Sequence, residues 1–196
     1  MPHMTKRKQD ILREATRLFA ESGFDGVSVA QIAKAAGVSQ GAVFRHFPSK
    51  EKLLHQIFQE VRQSFLEELG RDFVFSPQES GRDMVLRLAR FYCRFHEKRE
   101  VEFEFIHRNN PYRMPGVGEP CRKEIARIQD KMNELLHIGL SLGARDGSIR
   151  PMDAERGALL LLGAIGGTVR QRLFLDFHLQ DLEEDLMAFL DHALRP

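Results

Sequence analysis

Residues 28–47 leave the backbone little choice. Ser28-Val-Ala-Gln31 has the capping-box pattern: a hydroxyl residue is followed three positions later by an amide side chain that can reach back. It opens a short helix running to about Ala35, whose inner face is Ile32, Ala33 and Ala36. Ala36-Gly37-Val38-Ser39 then has to turn tightly. Gly37 supplies the left-handed backbone that a residue with a side chain resists, and Ser39 caps a further short helix that Pro48 ends. Val43 and Phe47 face inward on that helix. Gln40, Gly41, Ala42, Arg45 and His46 are left mostly outward. Two short helices joined by a glycine-containing turn form a helix-turn-helix, and the second enters the DNA major groove.

The residues left outward carry suitable chemistry. Gln40 and Arg45 are hydrogen-bond donors for base edges or phosphates. Gly41 and Ala42 let the backbone approach closely, and the Ala42 methyl can touch a thymine methyl. Ser28, Ser39 and Lys50 sit at helix N-termini, where amides and the helix dipole favour an anion. His46 has two readings, a phosphate contact or a cap of its own helix, whereas Ser49 reads as a helix cap.

The rest of the chain also reads as helix, punctuated by glycine and proline. Thr5 to Ser22 forms a first helix with the stripe Ile11, Leu12, Ala15, Leu18 and Phe19, and Gly23 stands at its end. Ser49 starts a fourth helix with the stripe Leu53, Leu54, Ile57, Phe58, Val61, Phe65 and Leu69. Ser76-Pro-Gln-Glu79 predicts the next helix start, with continuation to Lys98. A short helix covers Val101 to His107, and the stretch from Asn109 to Pro120 is a loop. Further helices run from about Pro120 to Leu142 with Gly143 as the stop, from Asp153 to about Phe174, and from Leu182 to Leu194. No strand is predicted, so the fold class is all-α. A three-helix head over residues 1–48 precedes a larger helical body over residues 49–196.

Charge divides along the same line. Residues 1–55 hold nine Lys/Arg against five Asp/Glu, and the remainder holds 20 against 23. A basic head on a mildly acidic body suits a nucleic-acid module attached to something else. Apolar residues make up 42% and charged residues 29%, which argues against disorder. No apolar run reaches the roughly 18 residues a membrane span needs, and the N-terminal stretch lacks the core of a secretory signal. Two cysteines, Cys93 and Cys121, are too few for a disulfide framework, so the expected setting is reducing and cytoplasmic.

The string Ser28-Val-Ala-Gln-Ile-Ala-Lys-Ala-Ala-Gly-Val-Ser-Gln-Gly-Ala-Val-Phe-Arg-His-Phe-Pro-Ser-Lys-Glu-Lys-Leu-Leu54 closely resembles the signature of TetR-family transcriptional regulators. Ile11-Leu-Arg-Glu-Ala-Thr-Arg-Leu-Phe-Ala-Glu-Ser-Gly-Phe24 looks like that family's first helix. The resemblance covers roughly residues 8–55, and beyond residue 60 it is only architectural. It implies a homodimer binding a palindromic operator on double-stranded DNA, released by a small ligand, with no catalysis and no cofactor. His46 and Lys50 match the family's phosphate-contacting histidine and lysine. Phe44 stands where the family usually has a phosphate-binding tyrosine, which leaves Phe44 packing against the sugar-phosphate backbone.

Aromatic residues concentrate outside the head, at Phe58, Phe65, Phe73, Phe75, Phe91, Tyr92, Phe95, Phe103 and Phe105. Each could be ordinary core. The resemblance implies instead that the helices from Ser76 to Leu142 enclose an effector cavity, with Phe91, Tyr92, Phe95, Phe103, His107 and Asn110 as the lining candidates. The implied effector is a small hydrophobic or amphipathic molecule. Cys93, His96, His107 and Cys121 lack paired metal-ligand spacing, and no local motif supports a nucleophile–base pair, so neither a metal site nor an enzyme is expected.

Near the C-terminus, Leu159 to Leu162, Ile165, Val169 and Leu173 are apolar around more than one helix face, interrupted by Gly163, Ala164, Gly166 and Gly167. Glycine costs about 1 kcal/mol against alanine in a helix interior, so close approach of another helix has to offset it. Leu182, Leu186, Phe189, Leu190 and Leu194 form the partner stripe on the last helix. The expected dimer interface is Leu162, Ile165, Gly166, Val169, Leu186, Phe189 and Leu190. An intramolecular hairpin buried against the body is the other reading. Two further functional readings stay open: a DNA-associated structural protein using the same head, and a small-molecule-binding protein or enzyme with a vestigial head.

Overall fold

The computed structural model describes residues 5–74, 76, 78–109, 114, 116–172 and 179–196. Among the described residues the secondary structure is helical, with no strand. The helices are α1 (Lys6–Ser22), α2 (Val29–Ala35), α3 (Gln40–His46), α4 (Lys50–Asp72), α5 (Gly81–Lys98), α6 (Glu100–Asn109), α7 (Gly118–Asp146), α8 (Ala154–Arg172) and α9 (Leu179–Leu194). They group into two compact units, Met1–Ser64 with Arg99–Ala126 and Phe65–Lys98 with Arg127–Pro196. Phe75, Asn110, Leu173 and Phe174 lie outside the described residues.

In the first unit, local chemistry sets the boundaries and burial sets the packing. The Thr5 hydroxyl accepts the Lys8 amide at 3.4 Å and starts α1, while Gly23, at φ 73°, returns its N–H to the Phe19 carbonyl and ends it. Ile11, Leu12, Ala15 and Phe19 are buried, the stripe expected of a helix with one face to a core. That face meets α6: the rings of Phe19 and Phe105 are 5.8 Å apart, and Phe103, Phe105 and Ile106 are all buried. Leu53, Leu54, Ile57, Phe58 and Val61 complete the core from α4.

The second unit is built on α5, whose buried face runs through Met84, Val85, Leu88, Tyr92 and Phe95. Helices α5, α8 and α9 pack on one another, and α7 crosses α5 where Gly81, Gly139 and Gly143 coincide. A Cβ on Gly81 would stand 2.0 Å from the Gly143 nitrogen. The backbones therefore touch without side chains between them.

Two boundaries differ from the sequence expectation for tertiary reasons. Helix α5 starts at Gly81 rather than after Ser76. Ser80 caps it, with its hydroxyl accepting the Asp83 amide at 3.1 Å, while the Asp146 carboxylate takes the Gly81 N–H at 2.8 Å and the Ser148 hydroxyl that of Arg82 at 3.2 Å. Ser76 makes only a turn, through the bond from the Glu79 N–H to its carbonyl. Glu79 itself is committed to Arg87 by two bonds of 2.6 Å. Helix α7 does not stop at Gly143 but continues to Asp146, and Gly147, at φ 77°, is the turn residue. Gly143 instead makes room for Ile149, whose side chain lies 2.4 Å from where a Cβ would be.

Candidate nucleic-acid interface

The head has the geometry that its spacing predicts. The Ser28 hydroxyl accepts the Gln31 amide at 3.3 Å, while the Gln31 side-chain oxygen accepts the Ser28 N–H at 2.7 Å and its hydroxyl at 2.8 Å. Gly37 has φ 65°, and a Cβ there would meet nothing within 4 Å. The turn needs the backbone conformation, not the space. The Val38 N–H then closes the turn on the Ala33 carbonyl at 2.9 Å, and the Ser39 hydroxyl caps α3 through the Ala42 amide at 3.2 Å. Ile32, Ala33, Val43 and Phe47 are buried as the inner face.

The outer face of α3 is open. Gln40, Gly41 and Arg45 are exposed, Ala42 and His46 are half-buried, and 47% of the Phe44 surface is exposed. The nearest heavy atom to a Cβ on Gly41 would be the Ser39 hydroxyl at 4.0 Å. Packing inside the chain gives no reason for a glycine there. The hydroxyls of Ser28 and Ser39 are occupied as caps, though each keeps a free face to solvent.

Lys50 is more constrained than its position suggests. Its ammonium donates to the carbonyls of Phe24 at 2.9 Å and Val27 at 3.0 Å, and lies 4.2 Å from the centre of the Phe24 ring. The two carbonyls engage two of its three N–H donors. Lys8, absent from the sequence-based set, lies 5.5 Å from the ring centre of Phe47 and brings a cation of α1 to the end of α3. The run Lys6-Arg7-Lys8 at the helix start was the available signal.

The expected effector residues separate. Phe91 and Phe95, stacked at 6.3 Å, line a groove of about 770 Å³ in the second unit together with Phe73 and Leu86. Arg87, Arg90, Arg94, Lys98 and Asp83 line it from α5, and Glu68, Asp72 and Glu79 line it from outside that helix. Glu79 holds Arg87 and Glu68 holds Lys98, whereas Arg90 and Arg94 make no ion pair among the described residues. Tyr92 is not in the groove; it is buried, with its ring 4.3 Å from that of His96. Phe103 and His107 belong to the first unit, where their rings stack at 6.3 Å. Cys93 and Cys121 are buried, and burial first, then nearby carboxylates, pushes each thiol up to about 12. Among the described residues no three His, Cys, Asp or Glu side chains gather as metal ligands would.

Burial also redraws the proposed dimer face. Ile165, Val169, Leu186 and Leu190 are buried within the single chain and so are not open to a second copy. Leu162 and Gly166 are half-buried. Of the expected interface, Phe189 faces outward, 64% exposed, and it is joined by Leu159 and by Leu160, 75% exposed. A Cβ on Gly163, Gly166 or Gly167 would meet nothing within 4 Å, so no internal packing requires those glycines.

A model of bacterial regulatory proteins of the tetR family matches residues 11–57. The chain is 28% identical over 193 residues to the HTH-type transcriptional regulator AcrR of Shigella flexneri, covering 93% of this chain and 86% of that protein. It is 25% identical over 185 residues to the nucleoid occlusion factor SlmA of Vibrio cholerae, covering 87% and 86%. The fold matches the transcriptional regulator FadR of Bacillus subtilis, solved in complex with stearoyl-CoA, with a TM-score of 0.76, 21% identity and coverage of 95% and 99%.

Proposed function

We propose that this chain, which belongs to the TetR family of DNA-binding transcriptional regulators, is a repressor that binds a palindromic operator as a homodimer and leaves it when a small amphipathic effector binds. The observation that carries this reading is the outer face of α3. It pairs exposed donors, Gln40 and Arg45, with a glycine, Gly41, that the protein's own packing does not require. In this reading Gln40, Gly41, Ala42 and Arg45 meet base edges. Ser28, Ser39, His46 and the remaining Lys50 donor hold phosphates, and Phe44 packs on the sugar-phosphate backbone.

Leu160, Phe189 and the bare backbone at Gly163 and Gly167 support a two-fold interface. It would set two recognition helices about 34–36 Å apart, in successive major-groove turns. The groove at Phe91 and Phe95 supports an effector with an apolar body and an anionic head, the head meeting Arg90 and Arg94. A fold neighbour that carries an acyl-CoA is in keeping with that class. Hundredfold release from the operator needs only about 2.7 kcal/mol of difference in effector affinity between two conformers.

Duplexes recovered from a random pool by the full-length protein provide the probe. Arg45→Ala should relax sequence preference, and Lys50→Ala should weaken binding while lowering the slope of log affinity against log salt by about 0.9. If both variants keep wild-type affinity, preference and slope, the reading is wrong.

A further inference from the structure

Among the described residues Glu124 is the only buried acidic side chain. It stands near the start of α7, one turn after the buried Cys121, and its two oxygens are used separately. One accepts from Arg62 Nε at 2.6 Å, and the other lies 3.3 Å from His55 Nε2. His55 and Arg62 are seven residues apart on α4, two turns along one face. A helix gripped at two points along its axis can neither roll nor slide without losing one of them. The cores of Phe58 and Val61 lie between these two points in sequence and are buried, so the grip is reinforced by packing.

The N-terminus of the same helix is tied to the head. Lys50 holds the carbonyls of Phe24 and Val27, immediately before the Ser28 cap of α2, and the buried Phe47 at the end of α3 lies three residues before Lys50. The orientation of α4 is thus imposed on both helices of the DNA-reading motif. A buried ion pair is seldom more stabilising than apolar residues of the same volume, but removing one member strands a charge away from water. That asymmetry suits a part that fixes geometry better than one that adds stability.

We propose that Glu124 is a positioning residue for DNA recognition: by bracing His55 and Arg62 it holds α4, and through Lys50 the helix-turn-helix, in the operator-reading arrangement. The inference rests on DNA binding by the family head but on no particular operator, effector or oligomeric state.

The test uses the full chain, a duplex selected from a random pool by the wild-type protein, and a scrambled duplex. Glu124→Gln should bind the selected duplex about tenfold more weakly per folded molecule, with scrambled-duplex binding unchanged. Its salt slope should also be unchanged, because no phosphate contact is lost. If Glu124→Gln does not fold, the triple variant His55→Gln, Arg62→Met, Glu124→Met removes the carboxylate together with both of its partners and should show the same selective loss. The proposal is overturned if the folded variant binds the selected duplex within about twofold of wild type, even with a lowered melting temperature. It is equally overturned if both duplexes weaken alike, or if the salt slope falls by about one phosphate contact.

Discussion

Replacing Gly81 with alanine should damage the second unit severely, although alanine is the better helix former. At the α5–α7 crossing the new Cβ would lie 2.0 Å from the Gly143 nitrogen and 2.4 Å from both the Gly139 oxygen and the Gly143 Cα. Ordinary contact begins at 3.4 Å, so the helices would have to separate by about 1.4 Å. The obstructing atoms are backbone, which cannot swing aside. Separation would also strain the bond from the Gly81 N–H to Asp146, at 2.8 Å, and lift Val85 and Met84 from the Gly139 surface. Overpacking a core costs about 1–3 kcal/mol, and an obstruction by two backbones belongs at the upper end.

About 3 kcal/mol lowers the melting temperature of a chain this size by roughly 6–12 °C. Gly70→Ala is the control, because Gly70 is exposed in α4 and a Cβ there meets nothing within 4 Å. Only the backbone-entropy gain remains, about 0.4–1 kcal/mol of stabilisation. Thermal melts by far-ultraviolet circular dichroism, with urea midpoints at constant m, separate the two cases. If Gly81→Ala melts at or above the wild-type temperature, the close-crossing account fails, whatever Gly70→Ala does.

Further outcomes follow from the other sites. Phe44→Tyr restores a hydroxyl on the open face of α3 and should tighten operator binding about fivefold, through one hydrogen bond of about 1 kcal/mol, with the salt slope unchanged because the group is neutral. Leu160→Glu with Phe189→Glu should give monomers in sedimentation. Each apolar side chain buried at a two-fold interface contributes about 1.5–3 kcal/mol and is counted in both copies. A persistent dimer would remove α8 and α9 from the interface. Cys93 and Cys121, with thiols pushed up to about 12, should react with an aromatic disulfide reagent at neutral pH only as fast as the protein opens. A raised thiol value stabilises the folded state below the unfolded value near 9.0, and this contribution is lost as pH rises towards about 12. Urea midpoints should therefore fall over that alkaline window.

The sequence by itself determined the head. Caps at Thr5, Ser28 and Ser39 and the left-handed turn at Gly37 are interactions within three or four residues, so residue type and spacing are enough to specify them. The apolar stripes of α1 and α4 were legible for the same reason: helical periodicity is a local property. Tertiary structure decided what depends on contacts far apart in the chain. Gly143 has the local signature of a helix stop, yet it lies inside α7 because α5 and Ile149 need its missing side chain. Ser76-Pro-Gln-Glu79 has the signature of a helix start, yet Asp146 and Ser148, some 65 residues away, cap the helix at Gly81 instead. Periodicity showed that α8 is apolar on more than one side and that α9 carries an apolar stripe, but only packing revealed that Ile165 turns inward while Leu160 and Phe189 turn outward. Glu124 gave no local signal at all: its partners, Arg62 and His55, sit 62 and 69 residues away on α4.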